Sequence, residues 1–409
     1  MGTTLRVGAF WSRLLLAVVA PGVFLIVSDV AIRIGGFDTD VVRNENFEIG
    51  VPVWLLADEN WADIQRERLD GAHGQEPRGV RAEDVEWLQS FEEARYIRYK
   101  LKPNISVDAN NPFNNIELQK GITFKLSSNS DGFRTKEFEL KVPGATRIVS
   151  IGDSSTFGWG VDPEYTFQEL LEQRFRRGRD DGTEVLNLGI SGHDSRHGLA
   201  IYEHYAKDLE PDVLIVSYGA NDARFVLTAT DEVLDQDDTW RGTVRDVLYR
   251  FATFRLMRRL ILRVYDPIEM VRMRAEAEGE SRALVRAVDR DSYEKNLRTI
   301  VRGAREAGTR AVLLAVCNEP YYTRMMQYVA STEGVPFLDA KELFGRHIDD
   351  LRGHLLYADE VRYYEALYGP EVMSRENSYY VTTDGCHPGR VGHNLIADAL
   401  FEVLQESGS

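Results

Sequence analysis

The sequence predicts an α/β protein built on a parallel sheet. Three observations carry this: short apolar runs without in–out alternation, amphipathic segments at helical spacing between them, and glycine-bearing polar loops directly after several of the runs. Strands buried on both faces read as continuous Val/Ile/Leu stretches, and strands alternating with helices give βαβ units. The first run is Ile148-Val149-Ser150-Ile151, ending in Gly152. A helix is expected over 166–176, then a strand at Val185-Leu186-Asn187-Leu188 and a helix over 198–209. Val213-Leu214-Ile215-Val216 is the third strand, 293–307 a helix, and Ala311-Val312-Leu313-Leu314-Ala315-Val316 the fourth strand. Val335 to Asp339 is a shorter strand, and 391–405 forms the last helix. In such sheets ligands sit beyond the carboxyl ends of the strands, which is where the polar motifs fall.

The rest of the chain is organised around this unit. Residues 146–409 are read as the α/β domain, interrupted by an insertion at about 224–291. The insertion opens acidic (Asp231, Glu232, Asp235, Asp237, Asp238) and turns into a basic amphipathic helix. That helix has Phe251, Phe254, Met257, Ile261 and Tyr265 at helical spacing, with Arg250, Arg255, Arg258, Arg259 and Arg263 between. It is either a lid or surface resting on an anionic membrane, or a packed helix with a solvated basic face; the second is favoured. Residues 36–145 read as a membrane-proximal accessory region, helix first and strands later, with alternating pieces such as Ile122-Thr123-Phe124-Lys125-Leu126.

Residues 1–35 contain an uncharged run, Leu14 to Ser28, bounded by Arg13 and Asp29. It is short for a span of about twenty residues, but Val7–Trp11 and Val30–Ile32 extend it. A cleaved signal peptide and an uncleaved anchor compete. Asp29-Val30-Ala31 puts a charge where a cleavage site wants a small residue, so the anchor is favoured. Arg6 and Arg13 before the run, and Asp38 and Asp40 after it, place the N-terminus in the cytoplasm and the bulk of the chain outside. The expected localisation is a single-pass membrane protein with an extracytoplasmic catalytic domain.

Composition narrows the function. In 409 residues there are 49 Lys+Arg against 65 Asp+Glu, a net charge of −16, which argues against nucleic acid as a partner because phosphate neutralisation needs a basic surface. A mean hydropathy of −0.32 excludes a polytopic membrane protein. Two cysteines, Cys317 and Cys386, exclude a disulfide scaffold. No His/carboxylate cluster has metal-ligand spacing, so neither a metal nor another cofactor is expected.

Four loops carry the chemistry. Gly152-Asp153-Ser154-Ser155 presents hydroxyls at a strand-to-helix turn. Asn187-Leu188-Gly189-Ile190-Ser191-Gly192 allows a backbone N–H close to a ligand. Gly219-Ala220-Asn221-Asp222 brings a side-chain amide donor, and Asp384-Gly385-Cys386-His387-Pro388 pairs an imidazole with a carboxylate. Each alone reads as an ordinary cap or turn. In this order, the set resembles the SGNH (GDSL-type) hydrolases over roughly 147–406 less the insertion. The resemblance implies a flavodoxin-like three-layer α/β/α fold with a five-stranded parallel sheet. It implies Ser154 as nucleophile, His387 as general base and Asp384 as its orienting partner. The oxyanion hole would be the Ser154 and Gly192 N–H groups with the Asn221 amide. Ser155 is the rival nucleophile.

Three further residues are expected to bind substrate. Trp159 is either a platform for sugar or acyl chain or a packed aromatic; His193 follows the oxyanion glycine; Arg134 lies in Asn129-Ser130-Asp131-Gly132-Phe133-Arg134, similar to a segment of membrane-anchored members. Cys317 and Cys386 map to the rim of the site, as a disulfide or as two thiols. The implied activity is ester hydrolysis on an acylated small molecule, glycan or lipid of the cell envelope. An O-acyltransferase of envelope carbohydrate and an inactive envelope binding component are the alternatives.

Overall fold

The computed structural model describes residues 22–35, 90–110, 123–178, 182–226, 244, 247–248, 251–254, 256–257, 285–353 and 387–406. The chain divides into two compact units, one of residues 1–50 with 235–282, the other of 51–234 with 283–409.

Among the described residues of the larger unit, two antiparallel pairs come first, β1 (Phe91–Ala94) with β2 (Arg98–Leu101), and β3 (Ser106–Asn110) with β4 (Thr123–Ser127). Their alternate residues are buried: Phe91, Tyr99, Leu101, Phe124 and Leu126 are each at most 4 % exposed. Next come β5 (Arg147–Gly152), β6 (Glu184–Asn187) and β7 (Val213–Ser217). A two-residue antiparallel pair follows, β8 (Phe225–Val226) with β9 (Val285–Arg286). β10 (Arg310–Ala315) and β11 (Phe337–Asp339) complete the set.

β5, β6, β7, β10 and β11 form a five-stranded parallel sheet in the order β11-β10-β7-β5-β6. This is the order of doubly wound flavodoxin-like sheets, in which the winding direction reverses between the first and third strands and opens a crevice at their carboxyl ends. Here those strands are β5 and β7.

Helices cover both faces. On one, Ile148, Val185, Val213, Ile215, Val312 and Leu314 join a core with Phe167 and Leu171 of α2 (Phe167–Gly178), Phe344 of α6 (Ala340–Gly353), and Leu395, Ile396 and Leu400 of α7 (Arg390–Glu406). On the other, Val149, Ile151, Leu214, Val216 and Leu313 are fully buried. There α3 (Ser195–Ile201) lies against β5, while α4 (Arg290–Glu306) and α5 (Pro320–Glu333) lie against β10. α1 (Ser154–Phe157) is a single turn at the end of β5. Burial on both sides is why these strands carry no polar alternation.

The helix expected over 198–209 differs in detail. α3 starts at Ser195, where Asp194 caps Arg196 N and His197 N, and a π turn over Tyr202–Ala206 and a 3₁₀ turn over Lys207–Leu209 continue it. In the smaller unit, residues 22–34 are helical. Asp29 pairs with Arg33 at 2.8 Å and its carboxylate also accepts from Ala252 N. Val23, Phe24, Ile26, Val27 and Ile34 are more than half exposed. Among the described residues no helix is long and apolar enough to cross a membrane; residues 1–21 of the expected anchor lie outside them.

Candidate active site

The polar loops follow β5, β6 and β7 or precede α7. β5 runs into Asp153, which caps α1: its Oδ1 accepts from Ser155 N at 2.9 Å. Asp153 is buried, and desolvation pushes its carboxyl up to about 6, although the Ser155 N–H and the His387 and Arg224 charges pull it down. The cap fixes the first residue of the turn, Ser154.

His387 stands three residues before α7 and is 9 % exposed. Its Nε2 lies 2.8 Å from Ser154 Oγ, across 233 residues of sequence. When Oγ–H donates to an unprotonated Nε2, the ring proton resides on Nδ1. Ser155, the rival, is 1 % exposed and sits at the cap instead. Asp384 and Cys386 lie outside the described residues. Cys317, just past β10, is disulfide-bonded, and Cys386 is the chain's other cysteine.

The second and third loops are stapled to each other. Asn221 Nδ2 donates to His193 O at 2.8 Å, and Arg224 Nη2 donates to Gly192 O at 3.1 Å. The Asp222 carboxylate accepts from Ser195 N at 3.0 and 3.2 Å. Gly192 has φ 85°, a left-handed conformation that glycine adopts without a Cβ penalty. Burial, reinforced by Asp194, holds the Asp222 carboxyl well above the usual carboxylate range. Tyr99 of β2 reaches the same loop: its hydroxyl donates to Ser191 O at 2.9 Å and its ring meets His193 edge-on at 4.7 Å. Sequence reading had no signal for Tyr99, which occupies an ordinary alternating strand, nor for Arg224, a lone arginine in a loop.

The three expected substrate contacts are buried. His193 is fully buried and stacked on His197 at 4.3 Å, and burial drives its imidazole well below the usual range, leaving it neutral. Trp159 is 1 % exposed and packs edge-on against Phe124 at 5.1 Å. Arg134 is 4 % exposed and spends its guanidinium on backbone carbonyls. Aromatic or backbone partners enclose all three. Ser154 follows β5, Gly192 lies on the loop after β6, Asn221 on the loop after β7, and His387 precedes α7; one hydrogen bond joins His387 to Ser154 and another joins Asn221 to the residue after Gly192.

The model of a family described as GDSL-like lipase/acylhydrolase matches residues 150–395. No curated protein matches in sequence. Among solved structures, a catalytic mutant of Axe2, an acetylxylan esterase from Geobacillus stearothermophilus, is 17 % identical with a TM-score of 0.35, covering 63 % of this chain and 94 % of that one. LAE5, an α/β hydrolase enzyme from the metagenome of Lake Arreo, is 16 % identical with a TM-score of 0.36, covering 64 % and 95 %. The esterase EstA from Pseudoalteromonas is 13 % identical with a TM-score of 0.36, covering 64 % and 97 %.

Proposed function

This chain belongs to the GDSL-like lipase/acylhydrolase family, and from that premise we propose that it hydrolyses an ester through an acyl-enzyme on Ser154. The observation that carries the reading is the 2.8 Å approach of His387 Nε2 to Ser154 Oγ at the switch point of the sheet. Ser154 Oγ attacks the acyl carbonyl as His387 takes its proton. The Ser154 and Gly192 N–H groups and the Asn221 amide receive the developing oxyanion. Asn221 has two amide hydrogens, of which one is committed to His193 O. His387 returns the proton to the leaving alcohol, then activates the water that releases the acid. Asp384 is assigned to orient the imidazole and stabilise its charged form.

The substrate is an acylated small molecule, glycan or lipid of the cell envelope. We assign residues 1–35 to a membrane anchor that leaves the catalytic unit extracytoplasmic; the uncharged run and the exposed apolar side chains over 22–34 support this. A C-terminal reporter active only in the cytoplasm would overturn that orientation.

The enzymatic test is hydrolysis of p-nitrophenyl acetate by the full chain, by S154A, by H387A and by the double variant. Residues acting as a unit are non-additive. Each single change is expected to lower kcat on the order of 10⁴-fold or more, with the double variant no slower. An S154A protein that retains wild-type turnover contradicts the reading.

A further inference from the structure

We propose that Arg134 is a positioning residue for the nucleophile, holding the carbonyl end of the Ser154 turn so that Oγ stays aimed at His387. This rests on the serine-esterase reading above.

α1 is four residues long, so it is nearly all ends. Helix termini leave N–H and C=O groups without internal partners, and one isolated turn is unfavourable by itself. The turn therefore depends on outside groups. Asp153 serves the N–H end. At the carbonyl end, Gly158 N and Trp159 N reach Ser154 O at 3.1 and 3.0 Å. Gln168 Nε2 and Asn187 Nδ2 reach Thr156 O at 2.9 and 3.1 Å. The carbonyls that follow take their shortest bonds from Arg134, beside longer ones from Asn187 Nδ2 to Phe157 O at 3.4 Å and from Val161 N to Gly158 O at 3.3 Å. Arg134 Nη1 donates to Phe157 O at 2.8 Å and Gly158 O at 2.6 Å, and its Nη2 to Val161 O at 2.6 Å and Lys125 O at 2.8 Å. One side chain thus ties β4 to the last residue of α1 and the loop beyond it.

The local chemistry fits a guanidinium and little else. Its charge is buried with carbonyl dipoles around it, at the end of a helix where the dipole favours a cation. The face of Phe157 lies 5.0 Å and that of Phe124 5.7 Å from its central carbon. Gly158 is left-handed at φ 81°, and a Cβ there would come within 3.0 Å of Nη1. A planar fork meets several carbonyls at once, which a lysine ammonium does not. The loop is pre-shaped to deliver it: Asn129 Oδ1 accepts from Asp131 N and Phe133 N at 3.1 and 2.9 Å, and Asn129 Nδ2 donates to Lys136 O at 3.0 Å. Phe157 is three residues from Ser154 in the same turn. Misplacing a reacting group by about 1 Å costs on the order of 100-fold in rate.

The test uses the full chain with R134K and R134A. Active sites are counted with a fluorophosphonate, and kcat per counted site and KM are measured with p-nitrophenyl acetate. Both variants are expected to lose about 10–100-fold in kcat per site with KM held within about twofold. Millimolar guanidinium chloride, but not sodium chloride, should restore part of the R134A rate. A kcat per site within about twofold of wild type, with only the melting temperature lowered, overturns the proposal. So does a raised KM at unchanged kcat, which marks a substrate contact. R134K keeps the charge and three donors and carries the test if R134A does not fold. A wild type with no labelling and no Ser154-dependent turnover fails the esterase reading instead.

Discussion

Replacing Asn221 by alanine removes two hydrogen bonds of different kinds. The first exists in the resting protein: Nδ2 to His193 O at 2.8 Å. Its loss leaves a carbonyl of the oxyanion loop unpartnered and is expected to cost about 0.5–1.5 kcal/mol of stability. The second forms only as the acyl oxygen gains charge. Removing one oxyanion donor costs about 2.7–4 kcal/mol of barrier, a loss of about 100- to 1,000-fold in kcat. A transition-state interaction lowers kcat and kcat/KM together, so KM should hold. N221D keeps the shape, loses both donors and sets an acceptor where negative charge develops, and should be slower than N221A. The assay is p-nitrophenyl acetate turnover per fluorophosphonate-counted site, with thermal melting alongside. Folded, fully titrating variants within about threefold of wild-type kcat would refute the oxyanion role. They would also show that the Asn221–His193 bond is purely structural.

Three other outcomes follow from the same geometry. Y99F deletes the hydroxyl that donates to Ser191 O at 2.9 Å; unfolding in urea should show a loss of about 0.5–1.5 kcal/mol, and an unchanged free energy contradicts the bond. F167A empties a fully buried position in the main core and should cost about 3–5 kcal/mol in the same assay. Glu333 is bonded to Arg302, Arg298 and Arg305, which hold its carboxyl at about 2 against an ordinary 4.5. A depressed carboxyl stabilises the fold above its unfolded pKa and loses that contribution as pH falls toward its folded value. The melting-temperature gap between wild type and E333Q should therefore be level above about 4.5 and close toward about 2. A gap that widens in acid contradicts the pairing.

The central sheet was legible because its strands are buried on both faces: Leu214 and Val312 sit in unbroken apolar runs, and Ile148 in one that only Ser150 interrupts. The sequence pattern starts β11 two residues early, since Val335 and Pro336 continue the apolar run but precede the pairing at Phe337. α5 was not anticipated. Its buried stripe is Tyr322, Met326, Val329 and Ala330, and tyrosines and β-branched residues are weak helix formers. The proposed nucleophile, base and oxyanion residues were legible as motifs because each loop follows a strand or precedes the last helix. The buried partners of those loops were not. Tyr99 and Arg134 act on backbone carbonyls some distance along the chain, and a bond to a carbonyl leaves no mark on the sequence of the residue that accepts it. Trp159 and His193 look like cleft residues by proximity in sequence, and Arg134 by the similarity of its segment to membrane-anchored members, yet all three side chains are buried.

The identity of the nucleophile is the most direct test. The full chain is treated with a fluorophosphonate, digested, and the phosphonylated residue is mapped by mass spectrometry. The account predicts one adduct, on Ser154, absent from S154A and retained in S155A. An adduct on Ser155, or a folded wild-type protein that takes up none, contradicts it.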